Sequence, residues 1–130
     1  DETILDPPDD FAKRVFKLTG GAGVDVVFEH VGPATFDRSV RSLGKGGTLV
    51  TCGATTGPKA EIDLRYVFSR QLRLQGSYMG SLSELRTVAA LVGQGRLRPV
   101  VDAKFPLREA RQAHEHLSSK RQFGKVVLLP

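Results

Sequence analysis

Gly23-Val24-Asp25-Val26-Val27-Phe28-Glu29-His30-Val31-Gly32 is the stretch whose reading decides the fold. Four of the five residues after its first glycine are apolar and three of those are β-branched. A run this apolar, bounded by glycines and too short for an ordinary helix, reads as a strand buried on both faces. Pro33 follows, then Phe36, Val40 and Leu43 at helical spacing, then Gly44 and Gly46-Gly47, then a second apolar run, Thr48 to Cys52. This is the pattern of a β-α-β unit with two parallel strands, and parallel sheets need helices over their faces. The expected class is therefore α/β: a parallel sheet with flanking helices. In open α/β sheets ligands sit at the carboxyl ends of strands, so the tails Glu29-His30-Val31-Gly32 and Cys52-Gly53-Ala54-Thr55 are the first candidates for function.

The composition, 40% hydrophobic and 25% charged over 130 residues, is that of one soluble globular domain able to bury its own core. No stretch approaches the ~18 apolar residues of a membrane span, and the acidic opening Asp1-Glu2-Thr3 is unlike a signal peptide, which points to a cytoplasmic protein without a membrane partner. The formal charge of +5 invites a nucleic-acid partner. The basic residues are scattered among acidic ones with no aromatic ladder, so that reading is set aside, and a dinucleotide's phosphates use the same potential more economically. One cysteine excludes an internal disulfide framework, and no Cys/His cluster has metal-ligand spacing. The chain does not open on Met. It begins within strand-like Thr3-Ile4-Leu5 and ends on Val126-Val127-Leu128-Leu129-Pro130, so a fragment of a longer polypeptide is expected.

In chain order, Thr3 to Leu5 is a strand candidate ended by Asp6-Pro7-Pro8. Asp9 or Asp10 then caps a helix with Phe11, Val15 and Leu18 on one face, stopped by Thr19-Gly20-Gly21. After the second main strand, Gly53 to Asp63 is a loop, residues 64–71 a short helix, and Leu72 to Tyr78 an alternating strand near a sheet edge. Ser81-Leu82-Ser83-Glu84 is a capping box ahead of Leu85, Val88, Ala89 and Val92, and Gly93 or Gly95 ends that helix. Arg98 to Val101 reads as a connector and Ala103 to Leu107 as a short extended piece. Ala110, Ala113, His114 and Leu117 define a further helix face, and Gly124-Lys125 introduces a terminal strand.

No G-x-G-x-x-G and no P-loop is present. His30 at a strand end is a candidate acid or base, but a lone His without an orienting partner reads as a pocket wall. His114 and His116, two apart on a helix, face different sides and cannot share a metal there. Cys52 reads as a small buried hydrophobe and Tyr78 and Met79 as packing residues. Neither a catalytic triad nor a carboxylate pair is visible, so no catalytic residue and no metal ligand is assigned.

The blocks Gly23 to Gly32, Gly46 to Thr55, Gln71 to Ser77 and Phe123-Gly124-Lys125-Val126-Val127-Leu128 together resemble the C-terminal part of the medium-chain dehydrogenases and reductases, specifically the zinc-binding alcohol dehydrogenase and quinone oxidoreductase group. The resemblance runs nearly end to end. It implies a partial Rossmann-type sheet, a fragment of a doubly wound fold, with residues 1–130 as the C-terminal part of an NAD(P)-binding domain. Thr3 to Leu5 is then its third strand, and residues 24–31, 48–53 and 72–78 its fourth, fifth and sixth. The GroES-like catalytic domain and the first Rossmann strands of that family have no counterpart here.

By the same resemblance, His30 and Val31 line the cofactor after the fourth strand, Cys52, Gly53 and Ala54 after the fifth, and Ser77, Tyr78 and Met79 after the sixth, while Gly124 and Lys125 approach its phosphates. The implied cofactor is NAD or NADP, with NADP favoured by the quinone-reductase-like blocks, and zinc belongs only to the absent N-terminal part. The implied reaction is hydride transfer to or from a small carbonyl, alcohol, quinone or enone, with the fragment inactive alone. The rival reading is a non-catalytic interaction or regulatory module that kept the fold without the cofactor site. In the strand order 3-2-1-4-5-6 the fourth strand would be left with a bare edge, so a homo-oligomer through sheet edges, or a rearranged contact with the terminal strand, is expected.

Overall fold

The computed structural model describes residues 2–4 and 10–130. They divide into two compact units, Asp1–Met79 and Gly80–Pro130. In the first, helix α1 (Phe11–Leu18) begins at Asp10, whose carboxylate accepts the Ala12 N–H at 3.2 Å. Strand β1 (Val24–Glu29), helix α2 (Phe36–Arg41), strand β2 (Leu43–Thr51), helix α3 (Leu64–Ser69) and strand β3 (Arg73–Gly76) follow. The three strands form a sheet in the order β1-β2-β3, parallel throughout. Val26 pairs with Thr48, Phe28 with Val50 and Glu29 with Thr51, and Leu49 pairs onward with Leu74. The parallel pairing expected from the two apolar runs is therefore present.

The core lies between the sheet and its helices. Val40, Leu43, Leu49 and Leu72 are its buried centre, with Val24, Val27, Phe36, Ile62, Tyr66 and Val67 packed around them. Phe36, Val40 and Leu43 do pack together, but α2 ends at Arg41 and Leu43 is the first residue of β2. The helical spacing overran because Leu43 turns inward from the strand that follows. Arg70 ties the layer together, its guanidinium over the Phe16 ring at 5.2 Å and the Tyr66 ring at 4.5 Å while donating to the Leu43 carbonyl at 2.9 Å.

Three expectations change. The strand buried on both faces is half-covered: Val27 and Glu29 turn toward the core side, whereas Val26 and Phe28 remain 51% and 76% exposed. Thr3 and Ile4 form no strand, and Leu5, the Asp6-Pro7-Pro8 stop and Asp9 lie outside the described residues. The sixth-strand candidate shortens to Arg73–Gly76, and its place at the sheet edge agrees with its alternating sequence.

In the second unit, helix α4 (Leu82–Gly93) starts with the expected capping box: Ser81 Oγ accepts the Glu84 N–H at 3.2 Å and Glu84 Oε2 accepts the Ser81 N–H at 2.6 Å. Strand β4 (Val101–Pro106), a 3-10 turn (Leu107–Glu109), helix α5 (Ala110–Ser118) and strand β5 (Lys125–Leu129) form a second β-α-β unit. Sequence reading took β4 for a connector and a short extended piece. It is a paired strand, parallel to β5, and the terminal strand therefore pairs with β4, not with β1. Gly124, at φ +117, opens β5 where a Cβ would stand 2.5 Å from the Val100 carbonyl oxygen, so the approach of the two strands requires glycine. Among the described residues no helix is long and apolar enough to cross a membrane.

Candidate functional site

The carboxyl ends of β1 and β2 are built as one piece, and the builder is Glu29. At 3% exposure this carboxylate is buried. Its Oε1 accepts the N–H groups of Val31 at 2.7 Å and Gly32 at 3.0 Å, Thr35 Oγ1 donates to both oxygens at 3.0 Å, and Ser39 Oγ donates to Oε2 at 2.5 Å. Burial works against its ionisation. The Ser39 hydroxyl, the Gly32 and Val31 N–H groups and the Thr35 hydroxyl outweigh that penalty and hold the carboxyl below its ordinary range.

The two tails are then laced by threonines. Thr55 Oγ1 donates to the His30 carbonyl at 3.0 Å, and both N–H and Oγ1 of Thr56 donate to the Val31 carbonyl at 2.8 Å. Thr56 Oγ1 in turn accepts the Ala34 N–H at 3.2 Å. The backbone carbonyls of His30 and Val31, and the N–H of Val31, are thus consumed internally, so these residues have side chains to offer a ligand. The next tail differs: among the described residues the N–H groups of Gly53 and Ala54 meet no protein acceptor. Beside them opens a cleft of about 320 Å³ whose walls include Gly32, Phe36, Gly53, Ala54, Ile62 and Leu74. A small, largely apolar hollow lined by Gly53 and Ala54, whose N–H groups meet no protein acceptor among the described residues, suits a flat ring bearing an acceptor.

Of the residues assigned from sequence, Gly53 and Ala54 line this cleft, while His30, Val31 and Cys52 lie beside it on the same two tails. Cys52 corrects its reading: it falls one residue past β2 and is exposed, because its side chain alternates away from the core face occupied by Leu49 and Thr51. Ser77 continues β3, its N–H donating to the Thr51 carbonyl at 2.9 Å, and Tyr78 and Met79 stand 93% and 82% exposed, not packed. Gly124 and Lys125 belong to the second unit, where the Lys125 N–H donates to the Val100 carbonyl at 2.9 Å.

Sequence reading placed Glu29 and Thr55 within the two candidate tails without giving them a framework role, and it missed Thr35, Ser39 and Thr56. The available signal was a carboxylate inside an apolar strand run, which folding tolerates only where hydroxyl and N–H donors surround it. It also missed Asp102. Its Oδ2 bonds His116 Nε2 at 2.7 Å and its Oδ1 accepts the Phe123 N–H at 3.1 Å, and the His116 contact first, then that N–H, lower its pKa. Among the described residues no three His, Cys, Asp or Glu side chains converge on a metal position.

Comparison with known proteins agrees with this architecture. Residues 1–128 match the profile of the zinc-binding dehydrogenases. The crotonyl-CoA reductase of Streptomyces collinus is 37% identical over 131 residues, covering 99% of this chain and 29% of its own length. A quinone oxidoreductase of Pseudomonas aeruginosa is 32% identical over 139 residues, covering 99% of this chain and 42% of its own. The structure of the crotonyl-CoA carboxylase/reductase AntE in complex with NADP superposes with a TM-score of 0.80 at 32% identity, over 92% of this chain and 30% of that one. The chain thus spans well under half the length of the relatives it matches. Whatever the family's name, the described residues hold no set of side chains that fits a zinc ion. With parallel strands, laced tails and a match over nearly its whole length, this chain belongs to the zinc-binding dehydrogenase family, within the medium-chain dehydrogenases and reductases.

Proposed function

We propose that this chain forms the nicotinamide side of the cofactor site of an NAD(P)-dependent oxidoreductase that moves hydride between the cofactor and a small carbonyl, alcohol, quinone or activated alkene. The observation that carries the reading is the pair of unpartnered N–H groups on Gly53 and Ala54, at the carboxyl end of a parallel strand beside a largely apolar cleft. The NADP complex of AntE supports a nicotinamide dinucleotide, and NADP is the form this reading favours.

When bound, the cofactor supplies the hydride chemistry, and this chain orients it. Gly53 and Ala54 would offer their N–H groups to its carboxamide, and the lack of bulk at these two positions would leave room for the ring. The His30 and Val31 side chains form the adjoining wall, with Cys52 beside them. Ser77, Tyr78 and Met79 would continue the wall after β3. None of these residues transfers a proton in this reading, so catalytic acids and any zinc ligands belong to sequence outside residues 1–130, and the chain alone is inactive. Without a glycine fingerprint to hold the pyrophosphate, several charge-assisted hydrogen bonds are lost, at roughly 1.5–3 kcal/mol each, enough to weaken a micromolar site to about millimolar.

Titration of the ¹⁵N-labelled chain with NADPH and NADH to about 10 mM tests this. The expected result is fast-exchange shifts centred on Gly53, Ala54 and residues 77–79, stronger with NADPH. Absence of shifts at that concentration, or shifts confined to other surfaces, overturns the reading in favour of a module that kept the fold without the site.

A further inference from the structure

Glu29 does more than fill its place. A buried carboxylate contributes little to stability compared with a packed aliphatic side chain, because its desolvation offsets the hydrogen bonds it makes. What it does here is fix a path. Two of its bonds hold the N–H groups of Val31 and Gly32, so the chain leaves β1 in a tight turn into Thr35 and α2. The same turn points the Val31 carbonyl at Thr56 and the Ala34 N–H at the Thr56 hydroxyl. Thr56 is followed by Gly57, whose N–H donates to the Ala54 carbonyl at 3.1 Å. Hydrogen bonds joined by short backbone steps therefore connect the Glu29 carboxylate to the loop that carries Gly53 and Ala54.

We infer that Glu29 is a positioning residue of the cofactor site: through the Val31–Thr56 link it holds the β2 tail, and with it the Gly53 and Ala54 N–H groups, in a fixed place beside the cleft. This rests on the function proposed above, and its test is separable from it. The variants are Glu29→Leu, Glu29→Gln and Thr56→Val. Glutamine keeps one carbonyl oxygen for the two N–H groups, while the Ser39 and Thr35 hydroxyls rotate to accept from its amide.

Two measurements are made on the ¹⁵N-labelled chain: amide exchange without cofactor, and NADPH-induced shifts. For Glu29→Leu, exchange at Gly32 and Thr56 should accelerate about tenfold or more while Leu49 and Val50 in β2 keep their protection, and shifts at Gly53 and Ala54 should need about tenfold more NADPH. Glu29→Gln should stay within about threefold of the parent on both, a rescue that mere volume does not give. Unchanged Thr56 exchange, or unchanged NADPH response, in Glu29→Leu overturns the inference. Should Glu29→Leu lose protection at Leu49 as well, Thr56→Val takes its place, and an unaltered NADPH response there overturns it equally. If the parent chain shows no NADPH shifts, the proposed function falls, and the Thr56 exchange alone then decides whether Glu29 positions the tail.

Discussion

Replacing Gly53 by alanine tests the close approach of the two strand tails. Gly53 is not in the left-handed region, so its backbone accepts alanine without φ strain. The obstacle is distance: a Cβ at this position stands 2.7 Å from the His30 carbonyl oxygen and 3.2 Å from the His30 Cβ. Restoring ordinary contact requires the tails to part by roughly 0.7 Å, and close-packed surroundings resist such shifts at about 1–3 kcal/mol. The same carbonyl accepts the Thr55 hydroxyl, so the movement also weakens a bond contributing about 1 kcal/mol. For a unit of this size, each kcal/mol lowers the midpoint by about 4–8 °C, so the combined cost of about 2–4 kcal/mol should take roughly 8–30 °C from Gly53→Ala. Thermal unfolding followed at resolved amides of β1 and β2 measures it. Gly76→Ala is the control, since nothing stands within 4 Å of its Cβ position, and it should move the midpoint by less than about 2 °C. If Gly53→Ala behaves like Gly76→Ala, the tails are not in the contact described.

Leu49 is fully buried at the centre of the core, and Leu49→Ala should cost about 2–5 kcal/mol in urea unfolding. Glu29 has a folded pKa below its ordinary value of 4.5, so its stabilisation is present above about that pH and is lost as pH falls through the folded value. The parent should therefore lose more stability than Glu29→Gln between about pH 5 and 3, and parallel pH profiles would contradict the assignment. Asp102→Ala removes the bonds to His116 and the Phe123 N–H, so its effect should be local to that contact. Amide exchange at Phe123 should rise while α4 stays unaffected. Ser81→Ala should cost about 0.5–2 kcal/mol locally, seen as faster exchange in the first turn of α4.

What sequence revealed and what it hid follow from how each signal arises. The parallel pairing of β1 with β2 was legible because an apolar run between glycines is a local property, and the Ser81–Glu84 box because both of its bonds lie within three residues. Coverage of β1 was not legible, since the apolar character of Val26 and Phe28 does not say whether anything packs on them. Strand β4 was legible only in part: Ala103 to Leu107 reads as extended chain, but Val101 falls in the connector reading, and only the pairing with β5 shows one strand over Val101–Pro106. The strand tails stand out in the sequence as places of interest because each apolar run ends in polar or small residues. Their internal wiring does not, because Thr55 and Thr56 meet His30 and Val31 across about 25 residues of chain, a separation at which no periodicity speaks.

The half-covered sheet has a practical consequence. Val26 and Phe28 share a face with Val50, and the phenyl ring of Phe28 is largely open to solvent. Amphiphilic fluorescent dyes such as ANS, whose brightening is usually taken to report a molten globule, will find a binding surface on this fully ordered strand pair. For this chain a bright dye signal marks the native state, and thermal-shift screens that rely on such dyes should start from a high baseline. Ligands or variants are better ranked by amide signals or circular dichroism than by dye emission.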